Sequence, residues 1–215
     1  DALPISSRLL ALVEPRLNPV APLSGFPTPE EVSSAARRLA QVPTADGTVL
    51  VHTAPAGADA TGRPNTMTHI AVLADEKRPA VCTADLWRSP GWRVPFGPDE
   101  VRATRMPAAG EIIPGRNVSD DSVADFMAES GRAAVLVALA DLLGDVLARR
   151  ADAPADKTTT VLLGTDSTDE AALWVGALQR TCAPCTGRRL GFSTLERVGS
   201  ARDIESLMAS GVDLA

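Results

Sequence analysis

Asp46-Gly47-Thr48-Val49-Leu50-Val51-His52-Thr53 is a turn dipeptide followed by an unbroken run of β-branched and apolar residues. Asp-Gly favours a two-residue hairpin loop because its central positions need a left-handed backbone, and the run behind it suits a pleated, half-buried surface. The stretch therefore predicts a strand paired antiparallel with a preceding one over Leu39–Pro43. Downstream, Gly57-Ala58-Asp59-Ala60-Thr61-Gly62-Arg63-Pro64-Asn65 is a polar segment bracketed by glycines, and it runs into a strand over Met67–Ala74 that carries His69. Such a segment is either a shaped site or a shaped turn.

Upstream, Thr28-Pro29-Glu30-Glu31 reads as a helix start that ends near Arg37: a capping threonine, proline at the first helical position, and acids that complement the dipole. Residues 1–28 otherwise hold several prolines around a short apolar piece, Ile5, Leu9, Leu10, Leu12 and Val13, that suits a helix of a few turns. From Ala84 to Gly115 the chain is rich in Pro and Gly, which predicts an irregular cover over the sheet with a short helix at Asp99–Thr104.

Beyond this seam the pattern changes. Ser119-Asp120-Asp121 starts the longest predicted helix, whose middle, Ala133 to Ala140, is apolar on all sides and so predicts burial. Gly131 and Gly144 within it permit close packing or a bend. Thr158–Leu163 then reads as a strand, Ser167-Thr168-Asp169-Glu170 as a capping box opening a helix to Thr181, Leu190–Leu195 as a strand and Ser200–Met208 as a last helix. This alternation predicts a partly parallel sheet. The expected fold is α+β, with residues 1–115 an antiparallel-sheet subdomain and 116–215 a helix-rich α/β subdomain, or both within one continuous domain.

The chain has 215 residues, 45% hydrophobic and only 3% aromatic, so aliphatic side chains build the core and its three tryptophans stand at key packing points. A net charge of −6 offers no general attraction for nucleic acid or anionic lipid. No apolar run reaches the roughly twenty residues of a membrane span, and no secretory leader opens the chain, which points to the cytoplasm. The lack of an initiator methionine reads as a piece of a longer polypeptide.

Several candidate sites compete with simpler explanations. Cys182-Ala183-Pro184-Cys185 has zinc or redox spacing, but a lone pair at a helix C-terminus, where the dipole disfavours thiolate, reads better as a helix stop. Gly164 to Thr168 has phosphate-loop placement, but Asp166, Asp169 and Glu170 repel anions and point to capping. Asp141, Asp145 and Arg149 at helical spacing form an ordinary polar stripe. His69 and Arg63 can be cast as base and anion clamp, against a structural histidine and a turn. In Leu86-Trp87-Arg88-Ser89-Pro90-Gly91-Trp92, Trp87 is expected inside and Arg88, Trp92 and Arg93 at an exposed edge suited to a partner. No metal or cofactor is called for by any of these.

Taken in order, Asp46-Gly47, then Gly57-x-Asp59-x-x-Gly62-Arg63-Pro64-x-x-x-x-His69, then Leu86-Trp87-Arg88-Ser89-Pro90-x-Trp92, and finally Leu190-Gly191-Phe192-Ser193-Thr194 resemble the N-terminal region of the bacterial GTPase-associated protein family, chiefly from actinobacteria. Two departures stand out. The family usually carries an aromatic pair where this chain has Thr66 and Met67, and usually has strands upstream of Leu3-Pro4. The resemblance implies an adaptor or regulatory component that couples a GTPase to other proteins of a conflict-type system, with no catalytic residues to carry over. On that reading Gly57, Asp59, Gly62, Arg63, Asn65, His69, Trp87, Arg88 and Trp92 form the interaction or ligand-binding surface. The rival reading is an enzyme or small-ligand binder with a pocket around Arg63 and His69.

Overall fold

A computed structural model describes residues 20, 23, 27–44, 47–59, 61–74, 82–152, 159–196 and 198–215. The apolar piece expected over Ile5–Val13 and the turn residue Asp46 lie outside them. Helix α1 (Pro29–Ser34) starts on the predicted box: Glu31 N donates to Thr28 Oγ1 at 3.2 Å and Thr28 N to Glu31 Oε2 at 2.7 Å. It stops earlier than Arg37 because the backbone turns extended at Ala35 and enters β1 (Arg38–Thr44).

Strand β1 pairs antiparallel with β2 (Gly47–Ala58), and β2 with β3 (Pro64–Ala74), as the alternation of turn and β-branched residues predicts. In this register Leu39, His52 and His69 stand side by side across three strands and share one face. β2 runs further than its sequence signal, to Ala58, through a register shift between Pro55 and Ala58. Gly57 thus belongs to the strand, and the hairpin tip shrinks to Asp59–Arg63.

One face of the sheet contributes Leu39, Leu50 and Ala71 to the main core, against Trp87 and Trp92 of the irregular cover and Trp174, Leu178 and Phe192 from later in the chain. The cover has short helices at Thr83–Leu86, at α2 (Pro98–Ala103) and at Ala109–Glu111. It lies tight on its own turns: a side chain at Gly115 would collide with the carbonyl of Trp87. The opposite face holds Ala40, Val42, Val49 and Val51.

The second half departs from expectation in several places. The helix from Ser119 is two: α3 (Asp120–Met127), capped by Ser119 as predicted, and α4 (Arg132–Asp152), separated at Gly131 with φ +88°, a left-handed value that ends one helix and reorients the next. Among the described side chains of α4, Leu139, Leu143 and Val146 are the fully buried ones, while Val135, Val137 and Leu142 are 41%, 62% and 52% exposed. Its all-round apolar composition therefore does not mean burial on all sides. Thr159–Leu163 is extended but is no strand of the sheet; it meets the C-terminal residues through a single parallel bridge, Val161 to Leu214.

α5 (Thr168–Thr181) follows its predicted cap, with Glu170 N donating to Ser167 Oγ at 3.1 Å. α6 (Pro184–Arg189) leads into β4 (Phe192–Ser193), which is shorter than predicted and joins β1 antiparallel, giving the order β3-β2-β1-β4. The parallel component is confined to Leu214, which bridges both Phe192 and Val161. α7 (Ala201–Ala209) closes the chain on Ser200. The class is α+β, and among the described residues no helix is long and apolar enough to cross a membrane.

Candidate functional site

The residues singled out by sequence separate into two places. Asp59, Thr61, Gly62 and Arg63 make the tip of the β2–β3 hairpin, Pro64 and Asn65 open β3 beside it, and Thr61 to Asn65 are exposed. Asp59 Oδ1 accepts from Thr61 N at 2.7 Å, Thr61 Oγ1 at 2.7 Å and Arg63 N at 3.0 Å. The Thr61 hydroxyl bond, with those backbone donors, holds the Asp59 carboxyl below its ordinary range. Gly62 takes φ +83°, and its N–H donates to Asp59 O at 3.0 Å. Asp59 and Gly62 therefore shape the turn and leave Arg63 and Asn65 presented outward.

Gly57, with φ +84°, locks the base of this hairpin. A Cβ there would stand 3.0 Å from Gly97 N, and Gly97 N donates to Ala56 O at 3.1 Å. Arg63 and His69 are not neighbours: six positions along an extended strand separate them by about 20 Å.

The second place is interior. Trp92, expected at an edge, is buried, and its ring stacks on His52 at 5.0 Å between centroids while His69 meets it edge-on at 4.9 Å. Trp92 Nε1 donates to Leu86 O at 2.7 Å. The exposed-edge expectation fails for Trp92 because its ring packs against two histidines on the sheet, one stacked and one edge-to-face. Neither ring nitrogen of His52, nor His69 Nδ1, has a hydrogen-bond partner. Burial first, then the charges of Arg37, His69 and Arg88, push His52 well below the usual imidazole range; burial and Arg93 lower His69. Both rings are neutral near pH 7.

Arg88 sits beside this cluster at φ +50°, a left-handed value for a side-chain-bearing residue. Its Nε and Nη2 donate to Asp169 Oδ1 and Oδ2 at 2.6 and 2.8 Å, and its Nη1 to Ser33 O at 2.5 Å. Trp87 Nε1 donates to Asp169 Oδ1 at 2.6 Å. Burial acts to raise the Asp169 carboxyl, but the bonds from Arg88 and Trp87 prevail and hold it low. Arg88 thereby clips the C-terminal carbonyls of α1 to the first turn of α5. Arg37 lies close by with its buried Nε unpartnered, and burial followed by repulsion from Arg88 lowers it to about 10. Arg93 is half-buried, with Nε donating to Arg105 O at 3.2 Å.

His52, Arg37 and Asp169 were missed by sequence reasoning as partners of this cluster. The signal available for Asp169 was its place in the capping box, and for His52 its register opposite His69. A second buried network was also missed: Gln41 donates to Leu190 O at 2.7 Å and accepts from Thr83, while Gln179 binds Thr83 Oγ1 at 2.9 Å and Ala84 N at 3.0 Å. Among the described residues no group of three or more His, Cys, Asp or Glu is placed to hold a metal. Cys182 is a free thiol at the C-cap of α5. Arg149 pairs with Asp145 at 3.6 Å on the exposed side of α4, as its spacing predicts.

An antiparallel hairpin sheet, a proline-rich cover anchored by the buried Trp87 and Trp92, and a tip shaped by Asp59 and Gly62 are the setting in which the chain's likeness to known proteins falls. Residues 4–112 match the family described as GTPase-associated protein 1, N-terminal domain type 2, and the chain belongs to that family. It is also 35% identical over 211 residues to the putative ESX-1 scaffolding and assembly protein SaeB of Mycolicibacterium smegmatis strain ATCC 700084 / mc(2)155, covering 96% of this chain and 25% of that protein. The protein of the same description from strain MKD8 is 36% identical over 194 residues, covering 88% of this chain and 22% of the relative. The chain thus spans about a quarter of the length of these curated relatives. No solved structure matches it.

Proposed function

We propose that this chain is a non-catalytic adaptor module that docks other proteins of its system, a GTPase among them, in the bacterial cytoplasm. The observation that carries the reading is the outer face of α4, where Val135, Val137 and Leu142 stand exposed on one helix beside Ala134 and Ala138. A helix this apolar and this exposed gains from burial against a partner, at roughly 1.5–3 kcal/mol for each large aliphatic side chain fully covered. The family's description supports the GTPase, and the scaffolding and assembly role named for the two SaeB relatives supports the wider reading. The hairpin tip, with Arg63 and Asn65 outward, supplies a second, polar contact. The buried Trp87 and Trp92 and the half-buried Arg88 hold the surface in shape and do not touch the partner.

The test is capture of a GTPase proposed as its partner, loaded in turn with a GTP analogue and with GDP, on the immobilised chain. Capture is expected, is lost in Val137→Asp and Leu142→Asp, and is weakened in Arg63→Ala. Failure to capture the GTPase in either nucleotide state removes this reading.

A further inference from the structure

His52 and His69 stand directly opposite one another in the β2–β3 register, and Trp92 of the cover rests on both. His52 is 0% exposed and His69 5%. Among the described residues nothing hydrogen-bonds to either ring nitrogen of His52 or to His69 Nδ1. Buried polar groups left this way are uncommon, and here three of them meet at one contact. None of them serves the docking surface on α4.

The surroundings decide what a proton does there. The charges acting on His52 are Arg37, which leads into β1, His69 itself and Arg88 of the cover; the charge acting on His69 is Arg93. All are cations or, for His69, become one. The carboxylates on neighbouring elements are engaged elsewhere. Asp169 of α5 accepts from Arg88 and Trp87, Glu111 from Ala108 N at 3.1 Å and Glu100 from Phe96 N at 3.0 Å. Asp85 pairs with Arg180 at 2.9 Å and Asp99 with Arg102 at 2.9 Å. Arg38 of β1 pairs with Glu196 at 3.4 Å, on the face opposite Leu39. A proton on either ring therefore creates a buried cation among guanidinium groups. Stacking on Trp92 gives an imidazolium a cation–π contact, but this gain is smaller than the cost of withdrawing an unpaired ion from water.

The cover is anchored unevenly around this contact. Trp87 and Arg88 are bonded to Asp169, whose carboxyl is held low, so that anchor stays ionised where imidazoles titrate. Arg88, at φ +50°, bends the chain into the turn Ser89–Trp92. The hydrogen bonds of Trp92 are to the cover itself, N to Ser89 O at 3.1 Å and Nε1 to Leu86 O at 2.7 Å, while its ring contacts on the sheet are the two histidines.

We propose that His52 and His69 form a pH-sensitive latch: protonation of the pair releases Trp92 and the turn Ser89–Trp92 from the sheet, while Trp87 and Arg88 stay tied to α5. Released, the rings are solvated and titrate near their ordinary value of about 6.5; latched, both lie below it. The latched state is thus fully favoured above about pH 6.5 and loses ground as pH falls from there toward the folded values. The inference stands apart from the adaptor reading, which rests on α4.

Hydrogen exchange of the Trp92 indole N–H in the whole chain tests it, corrected for the intrinsic pH dependence of exchange and compared with the amides of α5. Between about pH 7.5 and 5.5 its protection is expected to fall about tenfold or more. At each pH it stays below that of α5 and changes little in dilute urea, because a local opening exposes little surface. His52→Phe removes one proton and makes the fall shallower. Protection of Trp92 that is flat across this range overturns the proposal. So does protection that matches α5 in size and urea dependence, since Trp92 would then be freed only by unfolding of the whole chain. Both outcomes are read in the unsubstituted protein, so the test holds even if His52→Phe fails to fold.

Discussion

Arg88 and Asp169 meet in a two-pronged ion pair, at 2.6 and 2.8 Å, that ties the proline-rich cover to the first turn of α5 across 81 positions of sequence. The side chain of Arg88 is 11% exposed and that of Asp169 41%, so the pair is half sheltered, and its arginine also holds the end of α1. It makes Arg88 a structural clip, which changes what its substitution reports.

Asp169→Ala is expected to destabilise the fold by about 2–3 kcal/mol. A fully buried pair broken on one side costs about 3–5 kcal/mol, and solvent at Asp169 reduces this. Arg88→Lys follows in the same direction, because an ammonium cannot reproduce the two-pronged geometry. Urea unfolding measures both. Unchanged midpoints would mean that the pair adds nothing to the fold.

Acid weakens this protein in a definite window. His52 and His69 have folded pKa values below the unfolded value of about 6.5, so the unfolded chain binds more protons than the folded one as pH falls below that value. Their contribution is fully present above about pH 6.5 and declines as pH drops toward the folded values, by up to about 1.4 kcal/mol per pH unit for each ring. His52→Phe keeps a ring against Trp92 and removes one of these protons. Urea midpoints between pH 7.5 and 5.5 are expected to fall less steeply in that variant; an identical slope would contradict the assignment.

Gly57→Ala and Gly62→Ala separate backbone strain from crowding. Both positions have φ near +84°, +84° and +83° respectively, so each alanine costs about 1–2 kcal/mol from the left-handed backbone alone. A Cβ at Gly62 meets nothing within 4 Å, whereas one at Gly57 presses on Gly97 N at 3.0 Å. Thermal unfolding should therefore show the larger loss for Gly57→Ala, and equal losses would show that the Gly57–Gly97 approach is not tight.

The elements that were legible in the sequence are those whose signals are local. Thr28 and Glu31 satisfy each other's backbone within one turn, Ser167 caps α5 by accepting from Glu170 N, and the β-branched run from Gly47 to Thr53 pairs with β1. What was not legible depends on distant partners. Trp92 is interior because His52 and His69 arrive from two strands, and Arg88 because Ser33 and Asp169 arrive from two helices. Apolar content in α4 and the strand signal at Leu190–Leu195 report what side chains prefer, and the exposure of Val137 and the brevity of β4 depend on which neighbours are present. The sequence left the glycine-bracketed segment open between a shaped site and a shaped turn, and the distance from Arg63 to His69 follows only once β3 is known to be straight.

Hydrogen exchange on α4, with and without the GTPase proposed as its partner, tests the central claim most directly. Docking through the outer face predicts slowed exchange over Arg132–Leu147 when the GTPase is added, and no such slowing in Leu142→Asp. Unchanged exchange along α4 in the presence of a GTPase that still binds would contradict the account and move the docking surface elsewhere.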